Sequence, residues 1–326
     1  MKSFAGKIAV VTGGGTGMGR ELTIQLAKEG CHVAMCDVSN EAMQQTRELA
    51  LKETSGDVRV TSTIADVADE TQMLAWRTAV MEEHDTKSVN LVFNNAGIGG
   101  TPSFVDGDRE EWERTFNICW FGVYYGSRVF MPLLVASNEG HLVNTSSVNG
   151  FWASVGPNST HSAYSTAKFA VKGFSEALIN DLRMNAPHVK VSVVMPGHIG
   201  TSIIANSGKI LGNDPKEMGP EQFAIARERM EQSGIDASQI SDDEIRQAII
   251  QLGEAFRDEA PTSAAAAAKV ILDGVREERW RILIGHDAEV LDRMVRGEPE
   301  DAYTQDFYDR LTSETDWRLG ALSDQT

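Results

Sequence analysis

The sequence predicts an α/β fold, a doubly wound parallel sheet of about seven strands flanked by helices, with a helical lid insertion. Three observations carry this prediction. Short β-branched runs alternate with helix-length amphipathic runs, the signature of strand–helix–strand units. The strand candidates are almost continuously apolar, as burial on both faces of a sheet demands. The first of them also runs straight into a glycine-rich turn and then a helix.

In chain order the strand candidates are KIAVVTG (7–13), HVAMCD (32–37), VRVTSTIAD (58–66), NLVFNNAG (90–97), HLVNTSS (141–147) and VKVSVVMPG (189–197), with a late RILIG (281–285). Between them lie periodic stretches such as RELTIQLAKEG (20–30), EEWERTFNICWFGVYYGSRVFMP (110–132) and STAKFAVKGFSEALINDLRM (165–184), whose apolar spacing suits helices with one buried face. From about 202 to 260 the chain is polar, helical in character and free of strand candidates. It follows VVMPG at the carboxyl end of a strand, where open α/β sheets bind ligands, so a substrate-covering lid is expected there. A surface or subunit-contact insertion is the alternative. Residues 262–285 then supply one more helix and strand, and 286–326 form a charged helical extension. The whole chain, 1–326, reads as one domain.

Composition narrows the function. A formal net charge of -17 over 326 residues argues against nucleic acid or an anionic membrane as partner, because phosphate surfaces would repel the chain. The start, MKSFAGKIAVVTGGG, has too short an apolar run for a secretory signal, and no stretch approaches a membrane span. Cys31, Cys36 and Cys119 form no Cys-x-x-Cys pair, and the seven histidines show no ligand spacing, so neither disulfide nor metal is expected. A reduced, cytoplasmic setting fits best.

The chemistry begins at TGGGTGMGRE, Thr12 to Glu21. A glycine-rich turn between strand and helix lets backbone N–H groups and the helix N-terminus approach a pyrophosphate. The glycines follow Gly13-x-x-x-Gly17-x-Gly19 rather than the commoner Gly-x-Gly-x-x-Gly. Eighteen residues after Gly19, the second strand ends at Asp37, whose carboxylate can accept from adenosine ribose hydroxyls. It would repel a 2′-phosphate by up to about 4 kcal/mol for unit charges ~4 Å apart at an effective dielectric near 20. Val38, Ser39 and Asn40 offer no compensating cation, so NAD is expected over NADP. Capping of the next helix by Asp37 is the rival reading, but Ser39 or Asn40 suits that job better. Further on, Tyr164 and Lys168 sit four apart, on one helix face. A lysine cation, helped by an oxidised nicotinamide, would bring a phenol of pKa near 10 toward working pH. Ser146 or Ser147, ending a strand, could hold a substrate oxygen.

As an ordered set, these residues resemble the short-chain dehydrogenase/reductase family in its compact, Rossmann-type form, from Lys7 to about Thr201. TGGGTGMG is similar to the family's cofactor loop, which implicates Gly13, Gly15, Thr16, Gly17, Met18 and Gly19, with Asp37 and Val38 beyond. The resemblance further implies that Asp66 and Val67 contact adenine and that Asn95, Ala96 and Gly97 of NNAG lie beside the cofactor. Pro196, Gly197, Ile199 and Thr201 would hold the nicotinamide carboxamide. Ser147, three before Gly150, becomes the catalytic serine, Tyr164 the acid/base, and Lys168 its partner and the holder of the nicotinamide ribose. The expected reaction is hydride transfer between a secondary alcohol or its ketone and NAD. A homotetramer or homodimer built on residues 109–131 and 162–184 is also implied. A nucleotide-binding regulatory or scaffold protein without turnover is the competing reading, although such a binder has no need of a phenolate.

The sequence departs from the family pattern twice. The interval from Ser147 to Tyr164 is lengthened around PNSTHS, which alters the pocket wall. In FNICWFG, the family's helix-bending asparagine is replaced: the spacings to Trp112, Gly122 and Pro132 assign its position to Cys119, not Asn117. The resemblance gives that position a backbone carbonyl that holds a water in the proton relay. A thiol supports the bend weakly, and an adapted but active relay is expected. Phe151, Trp152, Met195 and His198 are pocket candidates that suggest a bulky or hydrophobic substrate, unless they simply pack the core. His161 and His198 read as polar walls of the pocket, with a second acid/base as the alternative.

Overall fold

Strand β1 (Ile8–Thr12) is a β-branched run with no polar side chain before Thr12, and it lies at the centre of the sheet. It pairs in parallel with β2 (His32–Asp37) on one side and β4 (Leu91–Asn94) on the other. Strand β3 (Val60–Ile64) extends the first side. Strands β5 (Gly140–Thr145), β6 (Val189–Pro196) and β9 (Arg281–Ile284) extend the second. The result is a seven-stranded parallel sheet in the order β3-β2-β1-β4-β5-β6-β9. Strand order reverses between β1 and β4, which opens a crevice at their carboxyl ends. The computed structural model describes all residues except 55, 101, 158, 233–235, 238, 316 and 318–326. Parts of the expected lid (233–235 and 238), of the long loop before Tyr164 (158) and of the C-terminal extension (316 and 318–326) therefore lie outside the described residues.

Helices cover both faces. Helices α1 (Gly17–Lys28), α2 (Asn40–Glu53) and α10 (Ala264–Arg276) bury Leu22, Leu26, Met43 and Ile271 against one face. Helix α3 (Glu70–Glu83) covers the other face together with α4 (Arg109–Phe116), α5 (Gly122–Val135) and α6 (Ser162–Asn185). There Trp76 meets Phe130 edge-on with ring centroids 4.8 Å apart. Ser39, not Asp37, caps α2, its hydroxyl accepting from Ala42 N–H. The 27 residues Arg109–Val135 are long and apolar enough to cross a membrane, more so than the sequence reading allowed. They are instead packed on the sheet as α4 and α5, because their apolar face meets Trp76, Val67 and Leu142.

Residues after Thr201 form α7 (Ile203–Ile210), α8 (Pro220–Gln232) and α9 (Asp242–Asp258). A short parallel pair, β7 (Ile199–Gly200) with β8 (Thr262–Ser263), closes the base of this segment. The tail contributes α11 (His286–Gly297) and α12 (Gln305–Thr315). Despite its charge it carries an apolar face, and Phe307, Leu311 and Trp317 bury Trp152 within a third core. Trp152 is 1% exposed, donates from Nε1 to the Ala302 carbonyl at 2.6 Å, and is not a pocket wall. Met195, fully buried in β6, is likewise core.

Two histidines are buried uncharged in the frame. His84 contacts Thr61 Oγ1 through Nε2, and burial lowers its pKa to about 4. His141 donates from Nε2 to Ser192 Oγ at 2.7 Å, and burial lowers its pKa to about 3. Both folded values lie below the ordinary 6.5, so the unfolded chain takes up protons that the folded chain refuses. Stability is therefore complete above about pH 6.5 and falls as pH drops toward 4, by about 2 kcal/mol per histidine near pH 5. Urea denaturation at stepped pH should show this decline, with His141→Asn reducing the slope. A flat profile between neutrality and about pH 5 would contradict it.

Candidate active site

The crevice at the strand-order switch is floored by the loop after β1. Gly13 has φ +67°, and a Cβ there would lie 2.9 Å from Ala96 Cα, so a side chain is excluded on both counts. Thr12 locks this contact: its hydroxyl accepts from the N–H groups of Asn95 and Ala96 at 2.9 and 3.0 Å. Gly97 follows with Lys168 Nζ 3.4 Å from the position of a Cβ. Arg20 holds the loop from the opposite side, donating to the Gly15 carbonyl from Nε and Nη2.

Helix α1 starts at Gly17 with no acidic residue in its first turn and no side-chain cap from Thr16. The Thr16 hydroxyl instead accepts from Asn206 Nδ2 at 3.0 Å. Uncapped helix amides, a first helical turn without acidic residues and a glycine floor are what a pyrophosphate needs, and the loop fits a dinucleotide. Asp37 accepts from Gly15 N–H at 3.0 Å and from Ser39 N–H at 3.1 Å, which sets the carboxylate at the rim of the same loop. Val38 beside it is exposed.

At several other expected contact positions the side chain points away from the crevice or is already engaged. The side chains of Met18, Val67 and Ile199 turn into the cores. Val67 packs against Gly122, where a Cβ would lie 2.7 Å from its Cγ2. Asp66 is already engaged: Oδ1 accepts from Ala68 N–H, and Oδ2 pairs with Arg114 Nη2 at 2.6 Å. Thr201 reaches the phosphate loop, its Cγ2 lying 3.1 Å from a Cβ placed on Gly17. Gly197, after Pro196, is pressed on Asp287, which accepts from His198 N–H at 2.6 Å.

Ser147, Tyr164 and Lys168 converge at the end of β5. A Cβ on Gly150 would lie 2.3 Å from Ser146 Oγ and 2.9 Å from the Lys168 carbonyl, so α6 docks directly on the turn after Ser147. Ser146 donates to that carbonyl at 2.7 Å, which makes it a tether and leaves Ser147 to face the site. Ser147 accepts from Asn149 N–H at 3.1 Å and hydrogen-bonds the Tyr164 phenol. Lys168 Nζ donates to the Thr145 carbonyl at 3.0 Å and lies 5.3 Å from the Tyr164 ring centroid. Among the protein's own groups, burial decides the titration. It raises the phenol, with the Cys119 charge adding and the Ser147 bond opposing, and it lowers the Lys168 ammonium. The lowering of the phenol expected from Lys168 is not seen, because desolvation outweighs the cation.

Cys119 lies beside both, buried, and donates from Sγ to the Ile98 carbonyl at 3.2 Å. Its helix is locally wound as a π-turn over Asn117–Phe121, closed by Gly122 N–H on the Asn117 carbonyl. The bend expected of an asparagine therefore exists without one.

Two histidines flank the site. His198 is buried, donating from Nε2 to the Phe256 carbonyl at 2.7 Å, so it ties α9 down. His161 stacks on Tyr164 with centroids 4.7 Å apart, and burial holds its pKa at about 4. It also lines a cleft of about 630 Å³ with Phe104, Val105, Ala153 and Phe169. Of the residues that sequence reasoning missed, Arg114, Asn206 and Asp287 act through long-range contacts, whereas Arg20 acts on the Gly15 carbonyl five residues back. Only Arg20, directly after Gly19, stood next to a motif.

The comparisons with known proteins agree with this geometry. The family model for short chain dehydrogenases matches residues 7–210. The chain is 32% identical over 296 residues to SadH of Mycobacterium tuberculosis, covering 91% of this chain and 92% of that one. It is 32% identical over 224 residues to levodione reductase of Leifsonia aquatica, covering 68% and 79%. Among solved structures it resembles a short chain dehydrogenase/reductase from Burkholderia phymatum in complex with NAD, with TM-score 0.72, 27% identity, and 92% and 96% of the two chains covered. From the phosphate loop to the Tyr164 helix, motif, fold and relatives coincide: the chain belongs to the short-chain dehydrogenase/reductase family, oxidoreductases that bind a nicotinamide dinucleotide.

Proposed function

We propose that the protein is an NAD-preferring dehydrogenase that moves hydride between a secondary alcohol, or its ketone, and the nicotinamide, with Tyr164 as acid/base. The observation that carries this reading is the convergence of the Tyr164 phenol, hydrogen-bonded to Ser147, with the buried Lys168 ammonium 5.3 Å from its ring.

In the oxidising direction the Tyr164 oxygen takes the carbinol proton. Ser147 Oγ accepts from Asn149 N–H and bonds the Tyr164 phenol, and its own proton, donated to the substrate oxygen, would stabilise charge developing there. Lys168 supplies positive charge beside the phenolate. The Cys119 π-turn carbonyl offers an exit for the proton, the thiol itself being held neutral by burial. When bound, the oxidised nicotinamide takes the hydride and adds a positive charge that opposes the burial of the phenol.

Asp37 supports NAD over NADP, since its carboxylate edges the loop and Arg20 is spent on the Gly15 carbonyl. The cleft beside His161, with Phe104, Val105 and Phe169 in its walls, supports a bulky or hydrophobic substrate, and the departure of α7 to α9 from the carboxyl end of β6 supports a lid role for them over the crevice. The exposed apolar residues Val135, Phe169 and Met184 on the two long helices support a homodimer or homotetramer, which sedimentation would test. Three free, buried cysteines suit a reducing, cytoplasmic setting.

Dinucleotide absorbance with an alcohol panel tests the reaction. Tyr164→Phe should lower kcat about 10²- to 10⁴-fold. Tight NAD binding without turnover of any alcohol, unchanged in Tyr164→Phe, would favour a regulatory binder. NAD should bind more tightly than NADP, and Asp37→Asn should narrow the gap at least tenfold, about 1.4 kcal/mol, while keeping an acceptor for Gly15 N–H. Equal affinities in the unmodified protein refute the preference. Cys119→Asn should keep kcat/KM within about tenfold, because the π-turn exists without the asparagine. A fall to background would show that the thiol is required.

A further inference from the structure

The first turn of α6 carries two polar atoms that the reaction at Tyr164 does not use. His161 Nδ1 and Ser165 Oγ are both buried without a hydrogen-bond partner. Ser165 is 3% exposed. The two residues are four apart, so they share one face of the helix start, and both line the cleft of about 630 Å³. Its other walls are the apolar Phe104, Val105, Ala153 and Phe169 and the hydroxyl residues Ser103, Thr160, Ser162 and Thr166, none of which bonds His161 Nδ1 or Ser165 Oγ. The His161 ring also lies against the Tyr164 ring, at 4.7 Å between centroids. One imidazole thus borders both the reacting phenol and the apolar cleft. Burial keeps it neutral near pH 7, so the ring can present one N–H donor and one acceptor nitrogen.

We propose that His161 and Ser165 form a subsite for a second oxygen of the substrate, a carbonyl or hydroxyl carried on an apolar body that fills the cleft. This rests on the proposed hydride transfer and names its substrate class: hydroxyketones and diketones, or the corresponding diols, rather than compounds with one oxygen. The physical basis is the cost of leaving buried polar atoms unpaired. A substrate that supplies the missing partner removes the cost, and one that lacks it does not. Such sites discriminate far more sharply than apolar pockets do against a missing methylene. Ser165 donates its hydroxyl proton to the second oxygen, and His161 donates to the same oxygen or accepts from it when it is a hydroxyl.

The test compares kcat/KM for matched pairs with NADH: cyclohexanone against the isomeric cyclohexanediones, and acetophenone against alpha-hydroxyacetophenone. In the unmodified enzyme at least one two-oxygen ketone should exceed its one-oxygen partner at least tenfold, chiefly through KM. That ratio should fall toward one in His161→Phe and in Ser165→Ala, and His161→Gln, which keeps hydrogen-bonding capacity, should retain part of it. The ratio is measured within each variant, so a loss of folded protein does not imitate the effect. Ratios near one for every pair in the unmodified enzyme, or a ratio that survives both His161→Phe and Ser165→Ala, overturn the subsite and leave the hydride-transfer reading standing. Reduction of none of the ketones overturns both.

Discussion

The site depends on a single steric constraint, the docking of α6 on the turn after β5. Gly150 leaves no room for a Cβ between Ser146 and the Lys168 carbonyl, and Ser146 donates to that same carbonyl. Lys168 Nζ reaches back to the Thr145 carbonyl and fixes the helix about its axis. Once α6 is held at this depth and rotation, Tyr164 has to meet Ser147. No long, flexible side chain is left to find its own position, which is how a reactive constellation is kept within a few tenths of an ångström.

That docking also explains the electrostatics. Pressing α6 into the core removes water from a phenol and an ammonium together, and desolvation drives their pKa values in opposite directions. The frame thus disfavours phenolate and ammonium alike, and a further positive charge beside them would favour the phenolate. The crevice is built to admit such a charge. Thr12 pins Asn95 and Ala96 over the phosphate loop, and Gly97 brings this segment next to Lys168. Cofactor loop and reacting helix are therefore parts of one packed unit, and a ligand held by the first alters the charge balance of the second.

Much of this was legible in the sequence because it is written locally. The parallel sheet followed from apolar runs of strand length, the loop from glycine spacing, and the Tyr164–Lys168 face from helical periodicity. What stayed hidden depends on contacts between residues far apart. Trp152 reads as a pocket aromatic until Phe307 and Trp317, more than 150 positions away, bury it. Nothing near Asp66 in the sequence announces its pairing with Arg114 of α4. The bend at Cys119 looked unsupported because the asparagine was absent, yet the π-turn is sustained by a backbone bond and by Gly122 on Val67. Desolvation of Tyr164 is equally invisible to spacing, since it measures how deeply a helix is seated.

The helices after Thr201 follow the same logic of a fixed base and a lighter edge. At their carboxyl end, His198 holds the Phe256 carbonyl, Gly200 is pressed on the Arg257 carbonyl, and β7 pairs with β8. His198 is itself held by Asp287 from α11, so the tail that buries Trp152 also braces this base. At their amino end, among the described residues, Asn206 bonds Thr16 and Gly99 bonds Ser207, with Ile210 and Leu211 only partly buried against the core. Two exposed or half-buried hydrogen bonds resist opening far less than a buried ring, a strand pair and a close backbone approach. The amino end at α7, next to the phosphate loop, is therefore held less firmly than the segment from Pro196 to Thr201.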